Sequence, residues 1–159
     1  MYTITKTYGN NLGLSATFRQ WRADSHCRFV HGYALGFELI LGCKDHELNE
    51  QNWVYSFGGL KTFKAWLEDT FDHKTVVAED DPLLESFEAL DTAGMIQLRI
   101  VEAVGCEKFA KMAYDRMLNL IVTENQQHRV NVLSVKCFEH AGNAATYHGA
   151  DVRGYLGYL

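Results

Sequence analysis

The stretch Tyr33-Ala-Leu-Gly-Phe-Glu-Leu-Ile-Leu41 decides the fold. One face of this stretch carries large apolar side chains: Tyr33, Leu35, Phe37, Leu39 and Leu41. The other face carries Ala34, Gly36, Glu38 and Ile40. Alternation with a period of two residues is typical of a strand with one face in the core. We therefore predict a half-buried strand in the middle of a sheet.

Segments on both sides of this strand predict further strands and two helices. The elements expected from apolar periodicity and turn residues are, in order, strands at 2–7, 12–18 and 33–41, an extended piece at 53–57, a helix from Leu60 to Phe71, a loop with one helical turn at 80–89, a strand at 95–102, a helix at 107–122, and strands at 130–138 and 145–147. The 12–18 segment is expected to return antiparallel to the first strand after the turn Gly9-Asn10-Asn11.

This order favours an α+β fold in which two helices cover one face of an antiparallel sheet. The opposite face would meet water or a second subunit, and its aromatic content favours a subunit. A chain of 159 residues, 47% of them hydrophobic, fits a single domain over 1–159.

Charge and composition narrow the class of protein. The net charge of −5 disfavours a sequence-independent nucleic-acid binder, because such a protein needs a basic face. There is no signal-peptide pattern at the start and no uninterrupted apolar run of about 18 residues, so we expect neither secretion nor a membrane span. The four cysteines form no CxxC pair and predict reduced thiols in a cytoplasmic protein.

The segment Ser25–Tyr33 is the first that could carry chemistry. Cys27 lies between His26 and Arg28, and cationic neighbours lower the pKa of a thiol. His31 follows four residues later. The alternative is a core cysteine with a histidine that is simply hydrogen-bonded. Arginines on both sides of this cysteine could meet a triphosphate: Arg19, Arg22 and Arg28.

Two further segments carry an acid next to other polar groups. Asp72-His73 ends the first predicted helix, where the acid could orient the imidazole for acid–base work or merely cap the helix. Glu139 ends the last long strand. It could accept paired N–H groups of a planar heterocycle, or it could be a solvated charge at the edge of the sheet.

Together, and in this order, these segments resemble the 6-pyruvoyl-tetrahydropterin synthase / 6-carboxy-tetrahydropterin synthase family from about Leu14 to Gly149. The family's Cys-x-x-x-His-Gly-His resembles Cys27-Arg-Phe-Val-His31-Gly-Tyr33, and its Gly-Trp-x-x-Asp-Phe-x-x-Leu-Lys resembles Asn52-Trp-Val-Tyr-Ser-Phe-Gly-Gly-Leu-Lys61. Its Leu-Asp-His resembles Phe71-Asp72-His73, and its Pro-Thr-x-Glu resembles Val104-Gly-Cys-Glu107. The family also has a late Glu followed eight residues later by Tyr, which resembles Glu139 and Tyr147.

The resemblance implies a tunnelling fold, with a four-stranded antiparallel sheet and two helices on one face. It implies trimers that stack into hexamers, with active sites between subunits. The implied activity is a lyase reaction on 7,8-dihydroneopterin triphosphate or a related pterin. The spacing between Cys27 and His31 resembles the bacterial carboxy-pterin branch, which serves queuosine biosynthesis.

The resemblance also implies a role for each matching residue. Cys27 would move protons on the pterin side chain, assisted by Asp72 and His73 of a neighbouring subunit. Glu139 would hold the pterin ring through its 2-amino and N3 hydrogens. The residues expected to bind substrate are Glu139, Glu107, His31 and Arg28.

Zinc is the point at which this chain departs from the family. The family holds zinc with three histidines, and here Phe18 and Tyr33 stand at two of those positions, so that only His31 is retained. A catalytic zinc needs about three protein ligands, so no zinc site is predicted. Two functions stay open: a pterin lyase, and a non-lyase relative that binds a pterin or a purine.

Overall fold

The computed structural model describes residues 1–149, and these residues form seven strands and three α-helices. The elements are β1 (Tyr2–Tyr8), β2 (Leu14–Phe18), β3 (His31–Cys43), α1 (Lys61–Phe71), β4 (Lys74–Ala78), α2 (Leu84–Thr92), β5 (Leu98–Val101), α3 (Cys106–Thr123), β6 (Asn131–His140) and β7 (Asn143–His148). Single 3₁₀ turns lie at Asn10–Leu12, His26–Arg28, Asp45–Glu47 and Phe57–Leu60. None of the helices within residues 1–149 is long and apolar enough to cross a membrane.

Strand β3 is the centre of the sheet, and its thirteen residues pair with three other strands. Its first half pairs with β2 and its second half with β1, both antiparallel, while its other edge pairs with β6. Because β1 and β2 are both antiparallel to β3, they run in the same direction, end to end. The prediction that 12–18 returns antiparallel to the first strand was wrong. The 3₁₀ turn at Asn10–Leu12 connects the two strands without reversing the chain.

The sheet is mixed, so the expected four-stranded antiparallel sheet was also wrong. The strand order is β5-β4-β2-β3-β6-β7, with β1 beside β3. Strand β4 is parallel to β2 and β5 is parallel to β4. Parallel neighbours need a crossover, and α2 supplies it between β4 and β5. That helix occupies the region predicted as a loop with one helical turn, and β4 was not predicted at all.

The core lies between the apolar face of β3 and two helices. Leu35, Phe37, Leu39 and Leu41 are each at most 1% exposed, which confirms the predicted alternation. The ring of Phe71 on α1 lies 5.1 Å from that of Phe37 and 5.2 Å from that of Phe109 on α3. Each buried aromatic or aliphatic side chain of this kind stabilises the fold by about 1.5–3 kcal/mol.

The opposite face of the sheet is largely polar. Thr7, Glu38, Lys136 and Thr146 lie side by side across β1, β3, β6 and β7. The Thr7 hydroxyl donates to Glu38 over 3.5 Å. The aromatic side chains of β3 lie on the core face, but Phe138 of β6 lies on this face, where its ring covers Gly36. The expectation that this face meets water or a second subunit stays a prediction.

A buried ion pair fixes the end of β2. The Arg19 guanidinium donates twice to the Asp81 carboxylate, over 2.8 and 2.6 Å, and the Asp81 side chain is only 1% exposed. The Leu83 N–H donates to the same carboxylate over 2.9 Å. The hydrogen bonds from Arg19 hold the pKa of Asp81 below its usual value, against the opposing effect of burial.

We expect Asp81→Asn to destabilise the protein at neutral pH. The ionised Asp81 stabilises the fold above its unfolded pKa of about 3.9, and this contribution is lost as the pH falls through the lower folded pKa. Urea unfolding should show a loss of about 1.5–3 kcal/mol at pH 7 that shrinks in acid. The control is Asp80→Asn, because Asp80 pairs with Arg22 at the surface. A loss that stays constant with pH would contradict the assignment.

Candidate functional site

Four of the predicted site residues line one pocket of about 460 Å³: Cys27, His31, Glu107 and Glu139. The pocket lies between the start of β3, the start of α3 and the turn between β6 and β7. Its other lining residues are Phe18, Gln20, Gly105, Cys106, Gly142, Asn143, Ala144 and Ala145. The pairing of β2, β3 and β6, which are distant in the sequence, therefore brings the segment with Cys27 and His31 next to Glu139.

A larger cavity of about 570 Å³ lies between β1 and residues 52–58. Its lining is mostly apolar and includes Trp53 and Phe57, which are half exposed. None of the predicted site residues lines it. The chemistry therefore points to the smaller pocket.

Backbone hydrogen bonds hold Cys27 at the pocket wall. The Ser25 hydroxyl accepts from the Cys27 N–H over 3.3 Å, and the Gln20 N–H donates to the Cys27 carbonyl over 2.9 Å. The Gln20 amide donates in turn to the carbonyl of Val104, which precedes α3. Cys27 is half-buried, unlike the fully buried Cys43. It is therefore not the core cysteine of the alternative interpretation.

Glu139 is aimed into the pocket by an irregularity of β6. The pairing of β6 with β7 shifts between Phe138 and His140, so Glu139 lies at a bulge. Bulges re-aim a side chain relative to a regular strand. The negative charge of Glu139 is the main reason that the pKa of Tyr33 is raised above its usual value. Because the Glu139 carboxylate is half-buried inside a pocket, its position favours ligand binding over the alternative of a solvated charge at the edge of the sheet.

Asp72 and His73 form the expected pair, but they do not line the Cys27 pocket of the same chain. The His73 Nδ1 lies 2.7 Å from Asp72 Oδ1, and the His73 side chain is 78% exposed. His73 has a φ of +56°, a left-handed conformation that costs a non-glycine residue roughly 1–2 kcal/mol. The side chains of adjacent residues in a regular helix or strand seldom contact each other. Here the side chains of Asp72 and His73 do so, at a position where the backbone is left-handed.

The expected arginine cluster was wrong. Arg19 is bonded to Asp81, and Arg22 pairs with Asp80 over 3.0 Å. Arg28 is exposed and does not line the pocket, and its guanidinium lies 4.9 Å from the Phe29 ring centroid. The pairing partners lie about sixty residues away in the chain, so no local pattern indicated these bonds.

The three positions that correspond to the family's zinc ligands do meet in space. Phe18 and His31 are directly paired between β2 and β3, with ring centroids 5.1 Å apart, and the Tyr33 ring lies 5.8 Å from that of His31. The His31 Nδ1 lies 2.7 Å from the Phe29 carbonyl. Phenylalanine has no donor atom for a metal, and a tyrosine phenol is not among the usual ligands of zinc. The residues present do not fit zinc. Within residues 1–149 no group of three or more His, Cys, Asp or Glu could hold a metal ion.

Among the pocket residues that were not predicted as part of the site, one carries a reactive side chain. Cys106 begins α3, directly after Gly105, whose φ of +114° favours glycine. The neighbouring Cys137 thiol is the main reason that the pKa of the Cys106 thiol is lowered, against the opposing effect of burial. Its place next to Glu107 in the sequence was the only available signal.

An α+β protein with a thiol and a carboxylate in one pocket, and an exposed Asp–His pair outside it, has the features that the resemblance implied. The family model of 6-pyruvoyl tetrahydropterin synthase matches residues 10–150. The chain therefore belongs to the 6-pyruvoyl tetrahydropterin synthase family, the group of tunnelling-fold proteins suggested by the motifs.

Solved structures agree in fold. An uncharacterized protein from Wolinella succinogenes superimposes with a TM-score of 0.76 at 18% identity, over 93% of this chain and 98% of that one. A catalytic-residue mutant of Plasmodium vivax 6-pyruvoyltetrahydropterin synthase gives 0.67 at 13% identity, over 94% and 99%. The Caenorhabditis elegans synthase gives 0.55 at 16% identity, over 94% of each chain. A comparison with curated proteins gave no match.

We expect the native protein to hold no stoichiometric zinc, and the double variant Phe18→His, Tyr33→His to gain about one zinc per chain, because it completes three imidazoles around one point. Elemental analysis after dialysis against trace zinc measures this directly. A triple variant that also carries His31→Ala is the control and should lose the metal again. Stoichiometric zinc in the native protein would show that its residues do fit the metal.

Proposed function

We propose that this protein binds a pterin in the pocket around Glu139 and acts on its side chain as a lyase related to 6-carboxy-tetrahydropterin synthase. The observation that carries the proposal is that Cys27 and Glu139 line the same pocket. Membership of the family supports the pterin as the ligand. A substrate of the type of 7,8-dihydroneopterin triphosphate and a place in queuosine biosynthesis belong to this proposal, as does a cytoplasmic location.

Glu139 would bind the ring end of the substrate. A carboxylate accepts two N–H groups at once from the 2-amino group and N3 of a pterin, and such charge-assisted bonds are short and directional. Glu107 lies at the exposed rim of the same pocket. Two acids repel a triphosphate, so the charged end of the substrate would point away from them. Arg28 is an exposed cation nearby in the chain that could meet it.

Cys27 would act at the side chain of the pterin. As a thiolate it would take a proton from a side-chain carbon, and a protonated His73 would return one to the neighbouring group. Asp72 would orient the imidazole through the 2.7 Å contact. No zinc takes part in this sequence of steps, because the residues present do not fit it.

A second copy of the chain is needed to complete this site. His73 is exposed and lies outside the pocket that holds Cys27, so the two groups would meet only between subunits. Among the described strands, β1, β5 and β7 each have one edge without a partner, where another copy can pair. The hexamer of two stacked trimers implied by the resemblance belongs to this proposal.

The alternative function is a non-lyase protein that binds a pterin or a purine. One observation favours it: Phe18 and Tyr33 fill the positions at which the family polarises its substrate with zinc. A guanine presents the same pair of N–H groups to Glu139 as a pterin does. The pocket suits both the lyase and the binding protein, so a test for conversion of the bound pterin distinguishes the two functions.

Cys27→Ala should abolish conversion of 7,8-dihydroneopterin triphosphate, with a loss of about 10²-fold or more, because it removes the proton acceptor. Binding of the pterin should stay nearly unchanged. Chromatographic assay of the product and calorimetry of binding measure the two effects. The exposed neighbour provides the control, His26→Ala, which should keep both activities. If the variant turns over like the native protein, Cys27 has no part in the mechanism. If the native protein binds without turnover, the alternative function is favoured.

Glu139→Ala should weaken pterin binding roughly 10- to 150-fold, which corresponds to about 1.5–3 kcal/mol for a charge-assisted pair. The matched control is Glu102→Ala, because Glu102 is an exposed acid that pairs with Lys108 outside the pocket. Calorimetry with a dihydropterin gives the affinities. Equal affinities of Glu139→Ala and the native protein would reject Glu139 as the anchor of the ring.

A further inference from the structure

Segment 52–61 resembles one of the family motifs, but the proposed reaction does not use it. It lines both the cavity of about 570 Å³ beside β1 and a pocket of about 350 Å³ further along the same strand. Phe57 lines both, so the two are direct neighbours. We call the first the aromatic cavity, since its lining includes Tyr2, Trp53, Tyr55 and Phe57. We call the second the lysine pocket, since its lining includes Lys6, Lys61 and Lys64.

The aromatic cavity presents exposed rings on a backbone that is held in place. Trp53 is 50% exposed and Phe57 is 56% exposed. The Asn49 side chain accepts from the Trp53 N–H over 2.9 Å, and the Arg129 guanidinium donates to the Val54 carbonyl over 2.9 Å. The loop therefore keeps its shape without a ligand. Exposed rings on a fixed loop suit stacking against a planar group.

Positive charge is concentrated in the lysine pocket, although the chain has a net charge of −5. Among the described residues, those that line this pocket include no acid. Lys64 pairs with Glu68 over 2.9 Å, but within residues 1–149 neither Lys6 nor Lys61 has an acidic partner. Lys6 is half-buried, and its Nζ lies 5.6 Å from the centroid of the Tyr8 ring. The pocket therefore lacks a counter-charge and suits an anion.

The start of α1 adds to this positive charge. Lys61 is the first residue of α1 and Lys64 follows three positions later, so both lie on one side of the helix. The first turn of α1 contains no acid, although the positive end of the helix dipole favours one there. Neighbouring like charges on a helix repel each other. An anion bound between these lysines would relieve the repulsion.

We propose that the aromatic cavity and the lysine pocket together bind a nucleotide with two or three phosphates. The base stacks on Trp53 and Phe57, because a planar ring stacks on an aromatic side chain whichever edge it presents. The phosphates contact the lysines, whose ammonium groups bind phosphate as point charges. Phe57 lines both regions, so the two halves of one ligand can occupy them at the same time.

This site is separate from the pocket that holds Cys27 and Glu139. None of the described residues that line that pocket lines the aromatic cavity or the lysine pocket. The inference therefore does not depend on the proposed function.

ATP without divalent cations is the probe, because its phosphates then keep their full charge. Adenine also lacks the adjacent amino and ring N–H groups that Glu139 would accept from a pterin. Calorimetry on the full chain should show that ATP binds about tenfold or more tightly than adenosine or inorganic triphosphate, since each of these fills one half of the site. Failure of the native protein to bind ATP would overturn the proposal. Equal binding of ATP and inorganic triphosphate would also overturn it, because the rings would then take no part.

Substitutions locate the bound ATP. Trp53→Ala should weaken ATP binding about tenfold, while Trp53→Phe, which keeps a ring, should retain most of the affinity. Lys61→Ala should weaken it about fivefold through the loss of one charge. The matched control is Lys108→Ala, because Lys108 is also an exposed lysine and pairs with Glu102 away from this site. Unchanged affinity in both Trp53→Ala and Lys61→Ala would show that ATP binds elsewhere and that the proposal is wrong.

Competition separates this inference from the proposed function. A dihydropterin in excess should not displace ATP, and displacement would place ATP in the Cys27 pocket and overturn the inference. A protein that binds ATP but no pterin would refute the proposed function and leave this inference standing. If another copy of the chain covers the aromatic cavity, the native protein will not bind ATP. Trp53→Ala will then change the size of the oligomer in light scattering, which would also overturn the nucleotide site.

Discussion

The pairing of β3 with β2 on one edge and with β6 on the other determines where every group of the pocket lies. It sets Phe18 opposite His31 at one end of the sheet, and it places the end of β6 with Glu139 beside them. A shift of one residue would turn the apolar face of β3 to water, so burial of that face fixes the register. The core and the pocket thus depend on the same strand alignment.

The fold separates the reactive groups into two sets. Cys27 and Glu139 lie in the pocket, held by backbone hydrogen bonds and by the bulge in β6. Asp72 and His73 lie on the surface after α1, already in contact with each other. Within one chain, the Cys27 thiol and the His73 imidazole do not line the same pocket. In the proposed assembly, a neighbouring copy would bring the exposed pair to the Cys27 pocket and so give it a function.

Local patterns in the sequence predicted local structure well. The alternation in β3 and the helical periods of α1 and α3 were confirmed, since each element buries a face that its own residues define. Parallel strand β4 was missed because it is only five residues long, follows α1 by two residues with no glycine or proline before it, and pairs with strands that are distant in the sequence. Arg19 looked available for a phosphate because its partner, Asp81, is distant in sequence. Cys106 was overlooked because its place in the pocket beside Glu139 also arises only from tertiary packing.

The central claim, that the site is assembled from two subunits, is tested most directly by mixing two inactive variants. Subunits with Cys27→Ala keep His73, and subunits with His73→Asn, which tolerates the left-handed backbone, keep Cys27. Co-expressed with different tags and purified as mixed oligomers, they should recover about a quarter of the native lyase activity, since random mixing places both intact groups in that share of interfaces. Activity no greater than the sum of the two separate variants would contradict the account.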